Sequence, residues 1–110
     1  MKLTKEQLQD MSDFEVNKKL EVLTGMYCED FSGNYIKTMD YCNNPSDIMP
    51  AALAHNISLI KLMDDVRYFA EYTCTIDESS FVLCSKLSCE HTNPYRAMAC
   101  CLILILQEET

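Results

Sequence analysis

The residues of this chain best placed to do chemistry are five polar side chains gathered at two Asn-Pro dipeptides. Asn43, Asn44 and Asp47 surround the first, in Cys42-Asn43-Asn44-Pro45-Ser46-Asp47, and Asn93 and Arg96 surround the second, in Asn93-Pro94-Tyr95-Arg96. An Asn side-chain oxygen accepts a hydrogen bond from a free N–H of a first helical turn. Pro at the first helical position supplies the right φ and has no N–H to leave unpaired. Each dipeptide therefore marks a helix start. Arg96 then falls in a first helical turn, where the helix dipole disfavours a cation. Two readings compensate it. In one, an ion pair with Asp47, or bonds to backbone carbonyls, ties the two helix starts together. In the other, both helix N-termini and the guanidinium converge on a phosphate or carboxylate ligand.

The remaining reactive groups are seven cysteines and two histidines, His55 and His91. A Cys–His nucleophile pair needs hydrogen-bond reach between the two, and seven cysteines make a chance approach common. Cys84, Cys89 and His91 with Cys74 upstream are the nearest approach to a zinc set, but the spacings match no common knuckle. The odd cysteine count and the absent Cys-x-x-Cys argue for reduced, metal-free thiols. Cys100 and Cys101 lie within an apolar run and read as small buried hydrophobes. His55 falls near a helix end, where an imidazolium is favoured by the dipole. The chain has neither a Gly-rich phosphate loop nor a Gly-x-Ser-x-Gly elbow. Asp64-Asp65 reads as a solvated turn. No catalytic residue, cofactor or metal is expected.

At 110 residues the chain is expected to form one domain, residues 1–110, with a single modest core. Its net charge of -8 repels nucleic-acid backbones, and its nine Lys and Arg form no basic stripe, so direct nucleic-acid binding is not expected. The N-terminal segment Met1–Glu6 lacks the apolar region of a signal peptide. The apolar run Ala97–Leu106 is ten residues, short of the roughly 20 that cross a bilayer. A cytoplasmic location is the expectation.

Thr4-Lys5-Glu6-Gln7 and Ser12-Asp13-Phe14-Glu15 both have capping-box spacing. Val16, Leu20 and Leu23 mark one buried helical face, Gly25 a stop, and Lys18 and Lys19 the outer side near the C-terminal end. A short strand is expected around Tyr35–Met39. Asn44 caps a helix to about His55, with Pro50 inside it either bending the helix or moving its start to Ser46. Residues 57–62 and 66–73 alternate as strands joined by Met63-Asp64-Asp65, with a weaker strand at Phe81–Cys84. The last helix, Pro94 to about Glu108, is apolar nearly all round and predicts burial on most sides, across the sheet, with a second subunit left open as a further cover. The fold class is α+β: a small antiparallel sheet packed on a buried C-terminal helix, with N-terminal and central helices flanking it.

In this order, Ser12-Asp13-Phe14-Glu15-Val16-Asn17-Lys18, Cys42-Asn43-Asn44-Pro45-Ser46-Asp47 with Pro50, Asn56-Ile57-Ser58-Leu59 and Asn93-Pro94-Tyr95-Arg96-Ala97-Met98 resemble the NinX-like family of small lambdoid phage and prophage proteins. The family's Ala-Trp before the second Pro is replaced here by Ile48-Met49. That family has no known biochemical function, so the resemblance implies a phage or prophage accessory protein in a bacterial host cell and no mechanism. The expected role is a non-enzymatic module that binds a host or phage protein, with self-association left open. One alternative is a binder of small anionic or nucleotide ligands with an anti-defence role, acting through Asn43, Asn44, Asp47, Asn93 and Arg96. A second is an acidic DNA mimic.

Overall fold

The computed structural model describes the backbone of residues 2–77 and 80–108, and the side chains of 2–72 and 87–108. Its elements are, in order, α1 (Lys5–Asp10), α2 (Asp13–Thr24), β1 (Cys28–Glu29), β2 (Tyr35–Ile36), α3 (Pro45–Ala54), β3 (Ile57–Lys61), β4 (Tyr68–Asp77), β5 (Ser80–His91) and α4 (Pro94–Glu108). Strands β3, β4 and β5 form an antiparallel sheet in that order, and β1 and β2 form a separate two-stranded ribbon. The architecture is α+β, with α4 laid across one face of the three-stranded sheet.

Both capping boxes form. The Thr4 hydroxyl accepts the Gln7 N–H while the Gln7 side chain accepts the Thr4 N–H, and Ser12 and Glu15 make the same exchange. Gly25, at φ 80°, closes α2 in the left-handed region that glycine enters without a Cβ penalty. Because α2 continues to Thr24, Lys18 and Lys19 sit in its middle and not in its last turn. Asn44 caps α3, and the helix keeps Pro45 as its first residue, with Pro50 carried inside. Pro50 sits where its missing N–H costs one bond to the Ser46 carbonyl.

Three strand boundaries differ from the sequence expectation. β2 stops at Ile36, because the next residues turn back to α2: the Thr38 and Met39 N–H groups donate to the Glu21 carboxylate at 3.2 and 3.0 Å. The β3–β4 connection is longer than three residues, since Asp65 accepts the Arg67 N–H and side chain and holds Val66 outside the strand. β5 is three times the length of the expected Phe81–Cys84 segment, because its register jumps from Glu71↔Ser88 to Tyr72↔Cys84. That bulge breaks the period-2 pattern by which a strand is recognised.

Helix α4 is buried from Arg96 to Gln107 without interruption. The sheet covers one side of it, and α1, α2 and α3 cover the others. The chain's own elements are enough to bury it. Its register is fixed at the far end by Gln107. The Gln107 side chain donates to the Leu3 carbonyl at 2.7 Å and accepts the Leu3 N–H at 3.0 Å. Leu102 lies at the centre with no exposed surface. Leu102→Ala is expected to cost roughly 2–5 kcal/mol, the range for a large-to-small change in a tight core. A chemical-denaturation curve with an unchanged midpoint would contradict this packing.

Candidate functional site

The cluster expected around the two Asn-Pro starts exists, but its connections are different. Asn93 performs the cap: its Oδ1 accepts the Tyr95 N–H at 3.0 Å and the Arg96 N–H at 3.4 Å. Its Nδ2 donates to the Cys42 carbonyl at 2.8 Å and to Asn43 Oδ1 at 3.3 Å, so it is the bridge between the two starts. Asn43 in turn donates to Asp40 and Asp13, and Asn44 is consumed in capping α3 through the Ser46 N–H.

Arg96 does not pair with Asp47. The Asp47 carboxylate instead accepts the Asp40 N–H at 2.8 Å, closing the loop before α3. The Arg96 guanidinium turns toward the N-terminal helices and is only 3 % exposed. Its Nη1 donates to Asp13 Oδ1 at 2.5 Å, and its Nη2 donates to the Leu8 and Met11 carbonyls at 2.8 and 2.6 Å. Its Nε donates to the Cys100 Sγ at 3.2 Å. Leu8 and Met11 lie at the C-terminal end of α1, where the dipole favours a cation. The charge that is misplaced on α4 is therefore well placed on α1. Of the five guanidinium N–H groups, four are spent inside the protein, and the group has no open face for an anion.

Buried polar residues that the sequence reading did not single out complete the network. Asn17 accepts the Cys42 N–H at 3.0 Å and donates to Asp40 at 3.0 Å. Asn17 lies one turn from Asp13 on α2, and nothing in its spacing distinguishes it from an exposed helical Asn. Glu21, fully buried, receives the two N–H groups that return the chain from the ribbon. Its neighbour Tyr35 has its phenol pushed up to about 12, by burial first and by the Glu21 carboxylate second.

The thiols around this network are free where described, and only Cys28 is exposed. Burial pushes the Cys42 thiol up to about 12, and Cys101 likewise. Cys100 moves the other way, lowered by the Cys89 thiol facing it and then by Arg96. Among the described residues no group of His, Cys, Asp or Glu is arranged to hold a metal. The Cys74 and Cys84 side chains of the expected zinc set lie outside the described residues. No described helix is long and apolar enough to cross a membrane. Neither a known protein family, nor a characterised protein, nor a solved structure matches this chain.

Two tests follow from this geometry. Arg96→Met removes the side-chain donor from the Met11 carbonyl and one of two donors from the Leu8 carbonyl, and leaves Asp13, whose side chain is 44 % exposed, to water, so a loss of roughly 1–3 kcal/mol is expected, the range for buried groups left without a partner. Urea titration measures it, and a loss below about 1 kcal/mol, the scale of a surface ion pair, would contradict the burial. The second test uses pH. His91 Nδ1 accepts the Asn93 N–H at 2.9 Å, which only an unprotonated nitrogen can do. Burial first, and Arg96 second, lower the His91 pKa below its ordinary 6.5. Its contribution is therefore full above the unfolded pKa near 6.5 and is lost as pH falls through the lower folded value. The urea midpoint of the wild type should drop more steeply below that pH than that of His91→Asn, which keeps an acceptor and cannot titrate. Parallel curves would contradict it.

Proposed function

We propose that this chain is a phage or prophage accessory protein that acts by binding another protein, without catalysis. The phage setting rests on the ordered resemblance to NinX-like proteins. The binding role rests on where polar and apolar groups are spent. Of the five residues expected to face a ligand, Arg96 is buried and spends its guanidinium inside the protein, while Asn43, Asn44, Asp47 and Asn93 are engaged as caps and struts, which favours a protein-binding role over anion capture.

The observation that carries the reading is a string of exposed apolar side chains along β3 and its flanks. Leu53 ends α3 at 71 % exposure, Leu59 lies mid-strand, and Leu62, Met63 and Val66 occupy the β3–β4 connection, Met63 at 93 %. Exposed apolar groups, where they gather, mark interaction surfaces in soluble proteins, and Leu62, Met63 and Val66 gather in one short connection. β3 is also an edge strand of its sheet, and edges of that kind accept partner segments. Lys61 on that strand is the charged residue that tempers unspecific pairing.

A tagged full chain and its Met63→Asp/Val66→Asp variant, used as baits in extracts of phage-infected bacteria, test the proposal. Both substitutions fall on exposed positions outside the strands, so the variant should fold. The expected outcome is a protein retained by the wild type and lost with the variant. Identical retained sets, or none with either bait, would contradict it.

A further inference from the structure

A second surface, on the opposite side of α2 from the core, combines a knob and a groove. The knob is the tip of the β1–β2 ribbon. Asp30 accepts the Ser32 N–H at 2.8 Å and the Asn34 N–H at 2.9 Å on one carboxylate oxygen, and its carbonyl accepts the Gly33 N–H at 3.0 Å. Gly33, at φ 83°, completes the turn in a conformation that other residues rarely adopt. This closely bonded tip holds Phe31 wholly in water, at 112 % exposure. Pre-organised exposed aromatic side chains are the typical anchors of protein interfaces. Glu29 and Asp30 come just before Phe31 in the chain: the Asp30 carboxylate is taken up by the turn and Glu29 accepts the Tyr27 hydroxyl at 2.7 Å, and both bring negative charge to the base of the tip.

The groove is a shallow, open depression of about 370 Å³ along the outer face of α2, lined by Met11, Phe14, Glu15, Lys18, Lys19 and Val22. Phe14 and Val22 are more than half exposed. Glu15 is engaged with Ser12 in the capping box, its Oε1 accepting the Ser12 N–H and hydroxyl. It keeps its charge, so the rim carries two cations against one anion and is net positive. Lys18 extends over the Tyr35 ring, with its nitrogen 5.2 Å from the centroid. An apolar groove with a cationic rim complements an aromatic knob with an anionic collar. The ribbon lies against α2, since Tyr35 packs on Phe14 with ring centroids 5.5 Å apart. Knob and groove thus occur on the same side of the molecule, as a two-fold symmetric contact requires.

We propose that two copies of this chain associate reciprocally, the Phe31 tip of each entering the Lys18–Lys19 groove of the other. This contact is separate from the β3 edge, so partner binding there and self-association here can be lost independently. Charge makes the contact salt-sensitive, and the phenyl ring supplies most of its affinity.

Sedimentation equilibrium of the full chain under reducing conditions, which keep the exposed Cys28 from cross-linking copies, tests the proposal. The wild type should dimerise, and Phe31→Ser should weaken dimerisation at least about tenfold. Glu29→Lys alone and Lys18→Glu/Lys19→Glu alone should each be weakened as well, because like charges then meet. Mixed together, these two variants should recover a dimer, since each basic or acidic knob then finds a groove of opposite charge. A wild type that remains monomeric up to about 1 mM would overturn the proposal and leave the groove to a different occupant. So would a dimer that is indifferent to Phe31→Ser, or a mixture that fails to recover association.

Discussion

The buried guanidinium of Arg96 is the interaction on which the rest of this structure depends. It lies in the first turn of α4, yet it serves the end of α1 and the start of α2, more than 80 residues away in sequence. α1 is six residues long, far below the length at which a helix holds in water by itself. At its end the Leu8 carbonyl has the Met11 N–H as its helical partner, and Arg96 adds a second donor there and one to the Met11 carbonyl. Arg96 also donates to Asp13, which opens α2 where a carboxylate is favoured by the dipole. One side chain thus ties α1 and α2 to α4, and each contact requires the other helices to be in place.

The same division of labour runs through the other buried polar groups. Glu21 gathers the backbone returning from the ribbon, Asn17 holds the Cys42 segment, and Asn93 joins that segment to the start of α4. Residues 26–44 contain little regular structure of their own, so their N–H and C=O groups need partners from elsewhere. These side chains provide them. Exposed apolar side chains remain on the β3 flank, at the ribbon tip and on the outer face of α2.

Much of the fold was legible because local signals agreed with the tertiary result. Thr4, Ser12, Asn44 and Asn93 each cap the helix they were expected to cap, and α4 ends within the expected span. These are contacts within a few residues, where the chemistry of the side chain fixes the geometry. The candidate site was legible as a place and not as a wiring. Asp47 was the nearest acid to the first Asn-Pro start, but the Asp40 N–H takes its carboxylate, and Asp13 reaches Arg96 only because α2 crosses α4. Nothing local encodes that crossing. β5 was underestimated for a related reason, since its bulge destroys alternation while its pairing with β4 persists. Phe31 escaped notice because a single aromatic residue in a polar turn carries no periodic signal.

Exchange of guanidinium protons tests the central claim most directly. In a ¹⁵N-labelled full chain, the Arg96 Nε–H should exchange with solvent far more slowly than that of Arg67, whose side chain is 46 % exposed. Protection of this kind reports the free energy of the opening that frees the group, and for Arg96 that opening should approach global unfolding. Asp13→Asn should shift the Arg96 resonances and speed their exchange. An Arg96 Nε–H that exchanges as fast as that of Arg67, and is indifferent to Asp13→Asn, would contradict the account.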